Sequence, residues 1–124
     1  MHPNVARVVD AARATGLEIT VERFPAGTRT AEDAARAVGC EVAQIVKSLV
    51  FVAGDEAREA TGFAIGGVPP FGHARALTVL VDRDLERHER LWAAAGLPDA
   101  VFRISPDDLR RASGGRVIDL AVSS

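Results

Sequence analysis

The chain has 124 residues, of which 48% are apolar and 26% charged, and its formal net charge is −2. That length and balance imply one domain with its own core and exclude a disordered chain, while the slight negative charge excludes broad nucleic-acid binding and leaves only local contact with an RNA end. The single cysteine, Cys40, excludes an internal disulfide and a cysteine-cluster zinc site, and no apolar run reaches membrane-spanning length, so a soluble cytoplasmic protein with no membrane and no DNA partner is expected.

Taken in chain order, Val5, Val8, Val9 and Ala12 recur at helical spacing, which predicts a helix over residues 4–15 stopped by Gly16. Leu17 to Val21 alternates apolar with polar and predicts a half-buried strand, ended by Phe24-Pro25-Ala26-Gly27. Thr30 with an acid three residues on resembles a capping box and predicts a helix over 31–38, stopped by Gly39. Residues 45–52 are apolar on both faces and predict a central strand. A Gly/Pro-rich apolar segment runs from Thr61 to His73. Leu77 to Asp82 predicts a strand and Asp84 to His88 a short helix. Leu91 to Ala95 is open between helix and strand by pattern, and Ala100 to Ile104 reads as a strand. Ser105-Pro106-Asp107-Asp108 is a helix start, with Ser as cap, Pro at the first position and acids in the first turn. That helix ends at Gly114-Gly115, and Arg116 to Leu120 closes the chain with a strand. The order of elements indicates an α/β fold, and the chain carries no repeat, low-complexity stretch or linker.

Two features carry candidate chemistry. Lys47 is the only lysine, against fourteen arginines, and it lies in the most apolar stretch, Ile45 to Val52. An ammonium there must be paired, desolvated or turned into a cleft. Lysine is the cation whose pKa moves readily on burial. The two readings are a site lysine and a lysine at the rim of a sheet, snorkelling to water. The second feature is the 61–73 segment, bracketed by Phe63 and Phe71 and followed by His73. Its glycines let a ligand approach the backbone and its prolines fix the turns. Neither the P-loop nor the dinucleotide spacing is present. The segment therefore reads as a rigid apolar wall around a small ligand, in preference to a turn that merely covers the core. His73 is open between a general base or ligand donor and a surface histidine. His2, His73 and His88 show no metal spacing, so no metal is expected. Cys40 reads as a small hydrophobe, because no histidine lies near it in sequence. Arg29, Arg75 and Arg116 are the arginines nearest these segments and the candidates for phosphate contact.

Four blocks in order resemble the YbaK/ProX family, the free-standing relatives of the editing domain of bacterial prolyl-tRNA synthetase. They are Thr30 to Ala35, Gln44 to Phe51, Thr61 to His73 and Gly114 to Leu120. The resemblance spans nearly the whole chain. It implies a mixed, curved sheet flanked by helices, with Leu91–Ala95 as a strand. It also implies a trans-editing aminoacyl-tRNA deacylase that hydrolyses the ester between a wrong amino acid and the 3′-terminal adenosine of tRNA. Binding alone separates small side chains poorly, which is why a second, hydrolytic sieve exists. The partner implied is the acceptor end of a misacylated tRNA, with no cofactor; a homodimer is left open. By the same resemblance Lys47 is needed for activity beside the terminal nucleotide. Gly66 to Pro70, including Gly67, Val68 and Pro69, forms the amino-acid pocket together with Phe63 and Ile65. His73, Asp119 and Thr30 border the same cleft. The alternative within the family is a non-catalytic module that holds a tRNA end or a partner protein; a small-molecule binder using the apolar pocket is a third reading. In one respect the chain departs from the family: it is short of about one strand-plus-helix unit, roughly 30 residues, after about residue 53.

Overall fold

In a computed structural model, which describes residues 1–24, 27, 30–46, 62–63, 68–73 and 79–119, helix α1 spans Pro3–Ala14. Pro3 opens it, and His2 caps it through Nδ1, which accepts the Asn4 N–H at 3.0 Å. Val5, Val8 and Ala12 share its buried face, as the spacing requires. The chain leaves the helix at Thr15, whose hydroxyl donates to the Ala12 carbonyl at 2.7 Å. Helix α2 spans Ala31–Val38. Thr30 Oγ1 accepts the Asp33 N–H at 3.0 Å, and Gly39 ends the helix with φ 77°. Helix α3 spans Pro106–Ser113, capped by Ser105 and ended by Gly114.

The strands are β1 Val21–Arg23, β2 Leu80–Asp82, β3 Leu91–Ala94, β4 Ala100–Ile104 and β5 Arg116–Ile118. Strand β4 is central: β1 and β3 flank it, both antiparallel, with Phe102 opposite Val21 on one side and Ala93 on the other. On the outer edge of β3, Ile45 forms a parallel bridge with Trp92, and the Val46 N–H donates to the Trp92 carbonyl at 2.8 Å. The chain leading into Lys47 thus adds to the edge of β3 and makes the pairing mixed. A separate parallel pair joins β2 to β5, with Val81 opposite Val117.

Ala100, Phe102 and Ile104 of β4 meet Val5, Val8 and Ala12 of α1 in one core cluster with Phe63, Phe71, Leu91, Ala93 and Leu109. Phe102 is fully buried and its ring lies 5.6 Å from that of Phe71. Burial of such a side chain contributes about 2–3 kcal/mol. Val101, which points to the opposite face, is 3% exposed, so that face is covered as well.

Three elements differ from the sequence reading. The strand expected over 17–21 begins only at Val21 and runs to Arg23. Leu17 and Ile19 do pack on the core, but the Leu17 N–H turns back to the Ala12 carbonyl. Alternation there records which side chains are buried and not where ladder bonds form. The short helix at 84–88 is a 3₁₀ turn over Arg83–Arg87, nucleated by the Asp82 carboxylate, which accepts the Asp84 N–H at 3.0 Å. The closing strand stops at Ile118, leaving Asp119 outside it. The run 47–52 lies outside the described residues.

Gly96 shows how closely α1 is seated. It has φ 96°, and a Cβ there would stand 2.7 Å from the Asn4 carbonyl oxygen. Gly96→Ala is therefore expected to destabilise the fold by more than about 2 kcal/mol, combining a left-handed backbone with a backbone collision. Gly16→Ala, at φ 82° with nothing within 4 Å, carries only the backbone cost of about 1 kcal/mol. Urea denaturation of the two variants checks the difference; equal losses would contradict the close approach.

Candidate functional site

The Gly/Pro segment is held at both described ends by α1. At its start, Arg7 Nη1 donates to the Gly62 carbonyl at 3.1 Å, and the guanidinium carbon stands 4.5 Å from the centroid of the Phe63 ring. At its end, Gly72 has φ 76°, and its backbone lies so near the helix that a Cβ would stand 3.0 Å from the Ala11 Cβ. Between these points Pro69, Pro70 and Phe71 are buried, and Val68 is half-buried against the core. His73, half-buried, lies with Nε2 2.8 Å from the Pro69 carbonyl oxygen. A carbonyl only accepts, so Nε2 carries a proton and donates. The described parts of the segment, 62–63 and 68–73, are thus apolar and seated on a helix, with one imidazole bonded back to Pro69.

The other sequence-predicted residues fall as follows. Phe63 is 2% exposed, with its ring in the core beneath Arg7. Thr30 is exposed and its hydroxyl oxygen is engaged as the α2 cap. Asp119 is exposed past the end of β5 and accepts from Arg83 Nη1 at 3.4 Å. Lys47, Ile65, Gly66 and Gly67 lie outside the described residues, as do Arg29 and Arg75. Arg116 is exposed on β5. The structure therefore brings Phe63, Val68, Pro69, Pro70 and His73 together along one segment, and places Thr30 and Asp119 on other elements. Sequence spacing gave no sign of Arg7 or Ala11; their only signal was an arginine and an alanine four apart on one helical face.

A second concavity of about 560 Å³ is lined by His2, Arg23, Gly27, Asp33, Leu97, Pro98 and Asp99. It contains none of the predicted site residues, and its nearest link to them is Asp33, on the helix that Thr30 caps. Its one strong polar feature is the Arg23–Asp99 fork, with Nε to Oδ1 at 3.0 Å and Nη2 to Oδ2 at 2.9 Å. The hydrogen bonds from Arg23 hold the Asp99 carboxyl below its usual range, against a smaller opposing effect of burial, and the same bonds hold the guanidinium more firmly protonated. Burial, with Glu41 beside it, pushes the Cys40 thiol up, so at neutral pH it is a weak nucleophile. Among the described residues no group of three His, Cys, Asp or Glu side chains is placed to hold a metal ion. None of their helices is long and apolar enough to cross a membrane.

The model of the aminoacyl-tRNA editing domain family matches residues 51–112, half of the chain. The chain belongs to the aminoacyl-tRNA editing domain family. As an editing domain it is a deacylase, which hydrolyses the ester joining a wrong amino acid to tRNA. A crystal structure of a candidate trans-editing enzyme for prolyl tRNA synthetase is 39% identical to it, covers 99% of each chain and superposes with a TM-score of 0.91. A scaffold protein used for epitope backbone grafting by computational design is 35% identical over 99% of this chain and 100% of that one, with a TM-score of 0.90. YwhH, an uncharacterized protein of Bacillus subtilis (strain 168), is 29% identical over 133 residues, which is 81% of this chain and 85% of YwhH. That alignment is longer than the stretch of this chain that enters it, so YwhH carries residues between matched blocks that this editing domain lacks. The matched stretch contains the whole Gly/Pro segment and His73, and leaves out Thr30, Lys47 and Asp119.

The Asp99 carboxyl titrates below its unfolded value, so the stability it contributes is fully present above the ordinary carboxylate range and disappears as pH falls through the folded value. Asp99→Asn is expected to melt slightly below the parent at pH 7, and the gap should close once the pH is well below the ordinary carboxylate range. A gap of the same size at both pH values would show that the pair contributes by packing alone.

Proposed function

We propose that this editing domain acts in trans in the cytoplasm, clearing tRNA that prolyl-tRNA synthetase has charged with a wrong, small amino acid. The observation that carries this is the clamped Gly/Pro segment, lying inside the stretch matched by the editing-domain family. The likeness to the candidate trans-editing enzyme for prolyl tRNA synthetase, close over the full length, supports the choice of synthetase. The agreement of the YwhH alignment with a longer relative supports a single domain short of a strand-plus-helix unit after about residue 53.

The reaction is attack of water on the ester carbonyl, collapse of the tetrahedral intermediate, and departure of the ribose oxygen with a proton. Two things are needed: a cradle for the oxyanion and a held water. In this proposal the backbone N–H groups of Gly66 and Gly67 supply the cradle, and Ile65, Val68, Pro69 and Pro70 shape the side-chain pocket, with Phe63 supporting it from the core. Lys47 meets the terminal phosphate or the attacking group as a fixed cation, and the neighbouring ribose hydroxyl of the substrate assists. His73, held by its Nε2–H bond to the Pro69 carbonyl, offers its other ring nitrogen to the ester as an acceptor in this proposal. Thr30 and Asp119 border the acceptor end, and Asp119 is oriented by Arg83.

A panel of tRNAs mischarged with alanine, serine, threonine and cysteine tests the reading, with release of free amino acid as the measurement. Rapid release from one ester is expected; tight binding without release would leave a non-catalytic module. Lys47→Ala is expected to lower the deacylation rate by at least about 100-fold, the scale of losing one positioned charge, with an unchanged melting curve. Full activity in that variant would remove Lys47 from the site.

A further inference from the structure

Both described ends of the Gly/Pro segment rest on one face of α1, at positions four residues apart. Arg7 holds the entry by two contacts at once: the donor bond to the Gly62 carbonyl at 3.1 Å and the guanidinium over the Phe63 ring at 4.5 Å. Ala11 meets the exit, where a Cβ on Gly72 would stand only 3.0 Å from the Ala11 Cβ. Phe63 and Phe71, the residues just inside these points, are both core residues, at 2% and 5% exposure. Both described ends of the segment are therefore anchored in the core and seated on α1, at positions one helical turn apart on that helix.

A flat guanidinium is suited to the entry point. It can lie on the ring face and still donate in its own plane to a carbonyl at the ring's edge. A lysine ammonium satisfies either contact but presents no plane. Arg7 is an exposed arginine, so core burial does not explain its placement, and among the described residues it makes no ion pair. Its two contacts both fall on the first residues of the segment.

We propose that Arg7 is a positioning residue for amino-acid selection: it fixes the entry of the Gly/Pro segment on α1 and thereby the width of the pocket. This rests on the reading of that segment as the amino-acid pocket. Selection between side chains that differ by a methylene or a hydroxyl is worth roughly 10- to 200-fold. A reacting group displaced by about 1 Å can lose about 100-fold in rate. Release of the entry is therefore expected to affect kcat and the ratio between esters, and to leave the affinity for the tRNA body alone.

The test uses the full chain and tRNA charged with alanine, serine, threonine or cysteine. Arg7→Met is expected to lower kcat on the fastest of these esters by roughly 10- to 100-fold. It should also compress the kcat/KM ratios between esters toward unity, with KM for the mischarged tRNA unchanged. Arg7→Lys should fall between the two proteins. Val68→Ala, inside the segment, is the control for the pocket itself. If Val68→Ala shifts the ratios while Arg7→Met, corrected for folded fraction, keeps the parent's kcat and ratios, the inference about Arg7 fails and the pocket reading stands. If neither variant shifts the ratios, the pocket reading falls and the role of Arg7 falls with it. If Arg7→Met does not fold, Arg7→Lys decides: parent-like ratios there overturn the proposal.

Discussion

The seating of α1 is the constraint on which the rest of the molecule depends. One helix of twelve residues touches the turn before β4, the start of the Gly/Pro segment and its end. Two of these contacts fall at glycines: at Gly96 a β-carbon would collide with the Asn4 backbone at 2.7 Å, and at Gly72 it would press on the Ala11 Cβ at 3.0 Å. Close-packed interiors transmit small displacements to neighbouring elements without absorbing them. The turn between β3 and β4 and the described ends of the segment therefore share one support, α1.

The chemistry is distributed in keeping with that. The ion pairs of the described residues are peripheral and mostly one helical turn apart, such as Arg111–Asp108 and Arg87–Asp84, and exposed pairs of this kind add little to stability. The Gly/Pro segment, the proposed pocket, has no charged side chain among its described residues; the polar contacts given for them are through backbone carbonyls, taken by Arg7 and His73. An apolar, rigid wall with a few fixed hydrogen bonds suits a pocket that must separate alanine-sized side chains by shape. A charged wall would spend its energy on the ammonium common to all of them.

Much of the fold was legible because the signals were local. Thr30 and Ser105 accept the amides that their capping patterns require, and Gly39 and Gly114 end the helices where expected. The resemblance gave Leu91–Ala95 as a strand where propensity alone left it open, and the strand runs over Leu91–Ala94, since only pairing with β4 decides it. The start of β1 was misplaced because alternation marks burial and says nothing of which partner the backbone meets. The candidate site stood out as a segment, through its glycines, prolines and flanking phenylalanines. Its supports were not, since Arg7 and Ala11 lie more than fifty residues away in sequence and nothing in a helix of ordinary composition marks them as partners of a loop.

The bond from His73 Nε2–H to the Pro69 carbonyl closes a ring of five residues on itself. Pro69 and Pro70 have fixed φ angles and no N–H to give, so the turn they make has few backbone bonds of its own to hold it. The imidazole supplies one from outside the backbone, next to the tight Gly72–Ala11 contact. The described end of the segment thus carries its own fastening, and a change at position 73 would be felt at Pro69 before it was felt in the core.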